Sequence, residues 1–537
     1  MNGMAGYDRH ARNPGGSRSP VLARHGMVCT SQPLATAAGL RMLQAGGNAV
    51  DAAVAAAAVL NVVEPHMTGI GGDVFALVYW RATGELAGLN ASGRSPAAMD
   101  LQYLRRKGYG QMPQSGIDAV TVPGALDGWI MLLERFGSRS LGEILAPAVQ
   151  YAEEGFPVSE IIANQWAEHV EKLASDAWAA ATFLIDGRAP VHGEIFSNPN
   201  LARSLRLIAD KGRTVFYEGE IAEKIAAAAA SRGGVLSVTD LAGHRGSWVA
   251  PLSTCYKGYD VYELPPNGQG LAVLQMLNIL EGFDLRAWGH NSADYLHHLV
   301  EAKRLAFADR DRYLGDPEFS DVPIDRLLSK AYAAERRRLI DARRARPAGR
   351  PGGADESDTV YLAVVDEHGN AVSFINSLFG PFGSGIVAGD TGICLQNRGS
   401  AFVFDERSPN CIAPRKRPLH TIIPAMVLRD GKPYFVFGVM GGDNQPQAQV
   451  QVLLNHVEFG MTVQEAGEAA RFRHTGAELG LESGIGPQVR RELALRGHKP
   501  VTLLDGFGGY QGILIDPRTG VLAGGSDPRK DGCAVGW

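Results

Sequence analysis

One stretch constrains this chain more than any other. Asp358-Thr359-Val360-Tyr361-Leu362-Ala363-Val364-Val365 is followed by Asp366-Glu367-His368-Gly369-Asn370 and then Ala371-Val372-Ser373-Phe374-Ile375-Asn376-Ser377. Two apolar, β-branched runs flank a short turn that contains glycine, which reads as a buried hairpin. With the turn centred near His368, Thr359 falls opposite Ser377, within one residue of register. Two hydroxyls then meet at the open end of the hairpin, next to Gly380, Gly383 and Gly385. This end reads as a catalytic site, with Thr359 becoming a new chain start.

A threonine inside a chain is a poor nucleophile. At an N-terminus it carries an α-amine of pKa about 7.7–8.0, a base already in place beside the hydroxyl. Before any cut, the same hydroxyl can attack the Asp358 carbonyl and form an ester that water opens. The expected products are a large segment, 27–358, and a small one, 359–537, forming one intertwined catalytic domain. Residues 336–358 are rich in Arg, Gly and Pro and read as a mobile linker before the cleavage point Asp358/Thr359.

Acyl chemistry at Thr359 also needs donors for a developing oxyanion. Gly441-Gly442 follows an apolar strand ending near Val439 and offers two adjacent backbone N–H groups. His420-Thr421, in the polar Lys416–Thr421 cluster, is a second candidate wall.

Composition narrows the rest. A net charge of −5 gives no electrostatic footprint for nucleic acid or an anionic membrane. Five scattered cysteines without a CxxC pair argue against a disulfide framework or a structural zinc. No histidine grouping has convincing ligand spacing, so neither metal nor cofactor is expected. Residues 1–26, rich in Gly, Arg, Pro and Ser, read as a disordered leader without an apolar signal core, and a cytoplasmic location is expected. Before Thr359 the chain reads as an early strand, an alanine-rich buried helix near 51–63, and a mainly helical stretch from about 141 to 330; after it, mostly as strands and turns.

Several motifs in order resemble the γ-glutamyltransferase family of self-processing N-terminal-nucleophile hydrolases. They are Gly46-Gly47-Asn48-Ala49-Val50-Asp51-Ala52-Ala53, Glu64-Pro65 with Thr68-Gly69-Ile70-Gly71-Gly72, Val122-Pro123-Gly124, Ala308-Asp309-Arg310, Phe382-Gly383-Ser384-Gly385, Lys416-Arg417-Pro418, Gly441-Gly442 and Ser526-Asp527-Pro528-Arg529. The resemblance spans about 27–537. It implies an α+β fold, a four-layer αββα sandwich, and amide hydrolysis or acyl transfer through an acyl-Thr intermediate. It also implies Thr359 as nucleophile, Ser377 as its supporting hydroxyl, Gly441 and Gly442 as oxyanion donors, and His420 and Thr421 as substrate contacts. Its partners would be a small amide substrate and the chain's own two segments, with a dimer of these as one arrangement.

The residues that clamp a γ-glutamyl group in typical members are replaced. Leu101 stands at the place of the carboxylate-binding arginine, Phe379 at that of an asparagine, and Arg398 and Ala401 at those that hold the α-ammonium. Arg398, with Arg94, would hold a carboxylate instead. This points to the branch resembling cephalosporin acylases and oxamate amidohydrolases, and to an acyl group with a carboxylate and no α-amine, oxamate- or glutaryl-like. A γ-glutamyl hydrolase or transpeptidase acting on glutathione-like substrates is the alternative. An unprocessed, non-catalytic binding protein is the alternative from another class. The short segment Asp405–Arg415 predicts an open site that favours water over other acceptors.

Overall fold

The computed structural model describes residues 16–346 and 358–537. Two seven-stranded sheets are stacked face to face, with helices on both outer faces. One sheet runs Cys533–Gly536, Met27–Thr30, Asp358–Val365, Ala371–Phe379, Asp73–Trp80, Glu85–Ala91, Ser247–Val249. The other runs Val21–Ala23, Leu522–Ser526, Tyr510–Ile515, Lys432–Val439, Ala425–Arg429, Tyr259–Glu263, Leu252–Tyr256. Helices Pro33–Gln44 and Ala49–Val63 cover the first sheet; Gly270–Leu280 and Gln445–Val457 cover the second, with Ala293–Tyr313 packed on Gly270–Leu280. This is the expected αββα sandwich.

Side-chain alternation along the hairpin builds two cores at once. Val360, Leu362 and Val364 face the first helical layer, with Val372 and Phe374. Tyr361, Ala363 and Val365 face the gap between the sheets, with Phe75, Ile375, Met426 and Val436. A third cluster lies under the second helical layer. Helix Ala49–Val63 is buried along its whole length, because alanine lets it pack closely on every side. Asn48 and Asp51 close its first turn as a capping box.

The hairpin register pairs Val360 with Asn376 through to Val365 with Ala371, as the turn position predicts. Asp366 holds the turn: its Oδ1 accepts from the His368 and Asn370 amides at 3.0 and 2.9 Å. Its Oδ2 accepts from the Ala49 amide at 3.0 Å, tying the turn to the start of the buried helix. At the other end the register shifts between Asp358 and Val360. Thr359 therefore sits on an irregularity of the bulge type, a device that re-aims a side chain where pairing ends.

Two expectations need correction. The leader does not run through residue 26: Val21–Ala23 pairs antiparallel with Leu522–Gly524, where it extends the second sheet by an edge strand, and the Ser17 hydroxyl donates to Glu468 at 2.7 Å. Residues 1–15 lie outside the described residues. Nor is the linker free from 336. Helix Lys330–Arg337 includes its first residues, Arg336 donates to Asp309 at 2.9 Å, Arg337 donates to the Ile279 carbonyl at 2.8 Å, and the Ala345 amide donates to the Arg496 carbonyl at 2.7 Å. Residues 347–357 lie outside the described residues. The 141–330 stretch is mainly helical, as read, with Leu252–Tyr256 and Tyr259–Glu263 inserted as one edge of the second sheet.

Candidate active site

Thr359, Ser377, Phe379, Arg398 and Thr421 are brought together at the open end of the hairpin, all buried. The Thr359 hydroxyl donates to Ser377 Oγ at 3.1 Å. The same oxygen accepts from the Phe379 amide at 2.8 Å and from Arg398 Nη2 at 3.1 Å. Arg398 Nη1 donates to Thr421 Oγ1 at 2.8 Å, and the guanidinium lies 4.2 Å over the Phe379 ring. Phe379 has φ 80°, a left-handed conformation that side-chain-bearing residues rarely adopt, held here by its amide's bond to Ser377.

Arg398 is the least usual member. It is fully buried, and among the described residues no carboxylate pairs with it directly. Burial pulls its pKa down to about 9, and only the more distant charge of Asp73 opposes that. The hydroxyls of Ser377 and Thr421 are the acceptors of its two terminal nitrogens, and its Nε has none.

Asp73, unrecognised in the sequence as a site residue, organises the wall behind. Its Oδ1 accepts from the Gly93 and Gly124 amides at 3.0 and 3.1 Å and from Gln396 at 3.0 Å, while Oδ2 accepts from His420 Nε2 at 3.0 Å. Burial works against its charge, but the His420 hydrogen bond and the charge of Arg398 help hold the carboxyl below its usual range. Gly72 beside it cannot carry a side chain, because a Cβ there would sit 2.2 Å from the Ser377 carbonyl oxygen. His420, expected as a substrate contact, instead turns its ring onto Asp73 and packs 4.7 Å from Phe75. Its backbone, not its ring, shapes the site.

On the other side of Thr359 opens a cleft of about 450 Å³, whose lining includes Glu168, Gly441, Asp443, Arg473, Leu504 and Lys530. Gly441 and Gly442 both have positive φ, 117° and 53°. Among the described residues neither amide has an acceptor, and Gly441 lines the cleft together with Thr359. Gln269 fixes the spacing of the two walls: its Nε2 donates to the Thr421 and Gly442 carbonyls, each at 2.9 Å, and its Oε1 accepts from Arg310 at 2.9 Å. Arg310 in turn pairs with Asp443 at 2.8 Å. The signal for Gln269 was present, a polar side chain between two glycines in a turn, but nothing local said what it would bridge.

Arg94 does not join this group. It pairs with Asp316 at 3.3 Å and with Glu318, and donates to the Arg415 carbonyl at 3.0 Å, so its donors are spent on holding loops together. The expected open site is also half closed, with the cleft exposed and the Arg398 side sealed. Among the described residues one group, His297, Glu301 and His498, brings three possible metal ligands within 4.8 Å. His297 spends its ring nitrogens on His498 and the Asp341 carbonyl, and Arg304 occupies Glu301, so the group is a hydrogen-bonded brace.

Buried neutral histidines give the fold an acid-sensitive profile. Burial pulls His420 to about 4, His244 to about 4 and His66 to about 3. Unfolded, each would titrate near 6.5. Between about pH 6.5 and 4 the unfolded chain therefore binds more protons, and stability falls as pH falls, by about 1.4 kcal/mol per pH unit for each such histidine. Calorimetry should show Tm dropping steadily from pH 7 to pH 5; a flat Tm over that range would contradict the burial of these rings.

Residues 35–537 match the family model described as Gamma-glutamyltranspeptidase. The chain is 44% identical over 525 residues to the glutathione hydrolase-like YwrD proenzyme of Bacillus subtilis (strain 168), covering 96% of this chain and 99% of that protein. It is 36% identical over 535 residues to the oxamate amidohydrolase proenzyme of Klebsiella pneumoniae, covering 97% and 100%. The crystal structure of cephalosporin acylase from Bacillus halodurans superposes with a TM-score of 0.92 at 43% identity, over 100% of this chain and 99% of that one.

Proposed function

The chain belongs to the gamma-glutamyltranspeptidase family, whose members at this similarity include proenzymes of hydrolases and acylases, and from that premise we propose a specific activity for it. It is an autoprocessed amidohydrolase of the N-terminal-nucleophile type. Its acyl substrate bears a carboxylate and lacks the α-amine of a glutamyl group.

One observation carries this reading: a fully buried guanidinium, bonded among the described residues only to hydroxyls, and linked to the nucleophile by two hydrogen bonds through Ser377. A substrate carboxylate is the natural counter-charge for it. An α-ammonium would instead meet the buried positive charge of Arg398, which no carboxylate among the described residues pairs with directly.

The chemistry runs in two stages. In the precursor, Thr359 Oγ1 attacks the carbonyl carbon of Asp358; the C–N bond breaks, leaving an ester and a free Thr359 amine. Water opens the ester, and Asp358 ends the large segment. In the mature form that amine takes the hydroxyl proton as Oγ1 attacks the substrate amide carbonyl. The Gly441 and Gly442 amides receive the oxyanion, Ser377 steadies the hydroxyl, and the leaving amine departs with the proton. Water then releases the acid and restores Thr359.

The test is a substrate panel on the self-processed protein: γ-glutamyl anilide, glutaryl anilide and oxamate. At least one of the amine-free substrates should turn over faster than the γ-glutamyl compound. Faster release from γ-glutamyl anilide would favour the glutathione-hydrolase alternative.

A further inference from the structure

Resting on that carboxylate reading, we infer that the acyl pocket is short: it accepts monoamides of two- and three-carbon diacids, oxalic above all, and rejects glutaryl-length chains. The geometry is set by one shared atom. Thr359 Oγ1 and Arg398 Nη2 each lie 3.1 Å from Ser377 Oγ, so they are separated by no more than twice that distance. Into this span must fit the new ester bond, the acyl carbons and a charge-assisted hydrogen bond of about 2.8 Å to Arg398.

With single bonds of about 1.5 Å and carbonyl bonds of about 1.2 Å, an oxalyl group fills the remainder. A malonyl group fits when bent. Each further methylene adds roughly 1.3 Å of reach, so a glutaryl chain must fold back on itself.

The neighbours of Arg398 hold it in place against such a fold. Arg398 cannot retreat, because Thr421 holds one nitrogen at 2.8 Å and the Phe379 ring lies beneath the guanidinium. Phe379 is fixed in turn by its amide's bond to Ser377. The roomy cleft lies across Thr359, and none of Ser377, Phe379 or Arg398 lines it. It therefore receives the leaving amine. Selectivity is lopsided: strict for a small acyl group, permissive for a large amine.

The covalent steps are those given above. The amide C–N bond breaks, the Thr359 ester forms, and water yields the free diacid and the amine.

The experiment is a homologous series on the self-processed enzyme: the mono-anilides of oxalic, malonic, succinic and glutaric acid, with γ-glutamyl anilide alongside. All share one leaving group, so kcat/KM reads the acyl side alone. We expect oxalyl or malonyl to be fastest, with a fall of at least ~10-fold for each methylene beyond malonyl. Equal or faster turnover of glutaryl anilide, with γ-glutamyl still slow, would overturn the length limit and leave the carboxylate reading standing. If γ-glutamyl anilide is fastest, both fall. Phe379→Gly, which suits the backbone angle and removes the ring, should raise the glutaryl-to-oxalyl ratio of kcat/KM; an unchanged ratio counts against the slot. Should that variant fail to process, the wild-type series decides alone.

Discussion

Thr359→Ala will give a single band of 57.3 kDa on a denaturing gel, where the wild-type protein gives two fragments. Its amidase activity should fall to background, by roughly 10⁴-fold or more, since nucleophile and base vanish together. The fold should survive. Thr359 lies near the start of a strand whose Val360–Val365 pairing is independent of its hydroxyl, so circular dichroism and Tm should stay close to wild type. Thr359→Ser keeps an oxygen and an α-amine and should process more slowly yet to completion. Two fragments from the alanine variant would mean that the cut is made elsewhere, or by another protein.

Arg398→Met carries the second large effect. It removes a buried cation while keeping most of the side chain's bulk over Phe379. Loss of one partner of a buried, charge-assisted hydrogen bond costs about 3–5 kcal/mol, so kcat/KM on amine-free acyl anilides should drop by roughly 10²- to 10⁴-fold. Turnover of γ-glutamyl anilide should fall far less or rise, because the repulsion of its ammonium is gone. Arg398→Lys keeps the charge but cannot bond both Ser377 and Thr421, so it should recover only part of the loss. A uniform loss on every substrate in both variants would recast Arg398 as structural support for Ser377.

Much of this was legible in the sequence because the hairpin is a local object. Its turn lies between the two strands, and parity alone puts Thr359 and Ser377 on one face. The residues that surround the pair were harder, because they arrive from far along the chain. Asp73 sits behind a run of glycines and meets His420 across 347 positions of sequence. Gln269 joins two loops that no spacing rule connects. His420 misled for a related reason: its side chain, which a sequence suggests for function, serves the wall, while its carbonyl accepts from the Gln269 amide at 3.1 Å. Arg94 looked like a second cation for substrate and proved to be neutralised by Asp316 and Glu318. The edge strands Val21–Ala23 and Leu252–Tyr256 escaped because each is short and gains its hydrogen bonds only from a distant partner.

The order of strands has a consequence for life after the cut. In the first sheet Met27–Thr30 lies between Cys533–Gly536 and Asp358–Val365, and Ala371–Phe379 lies against Asp73–Trp80. In the second, Ala425–Arg429 is hydrogen-bonded to Tyr259–Glu263. Pieces from before and after Thr359 are thus woven through one another rather than docked along a seam. Severing the backbone frees neither piece. Two differently labelled batches, mixed after maturation, should never trade fragments short of full denaturation, and each molecule keeps for good the counterpart it was translated with.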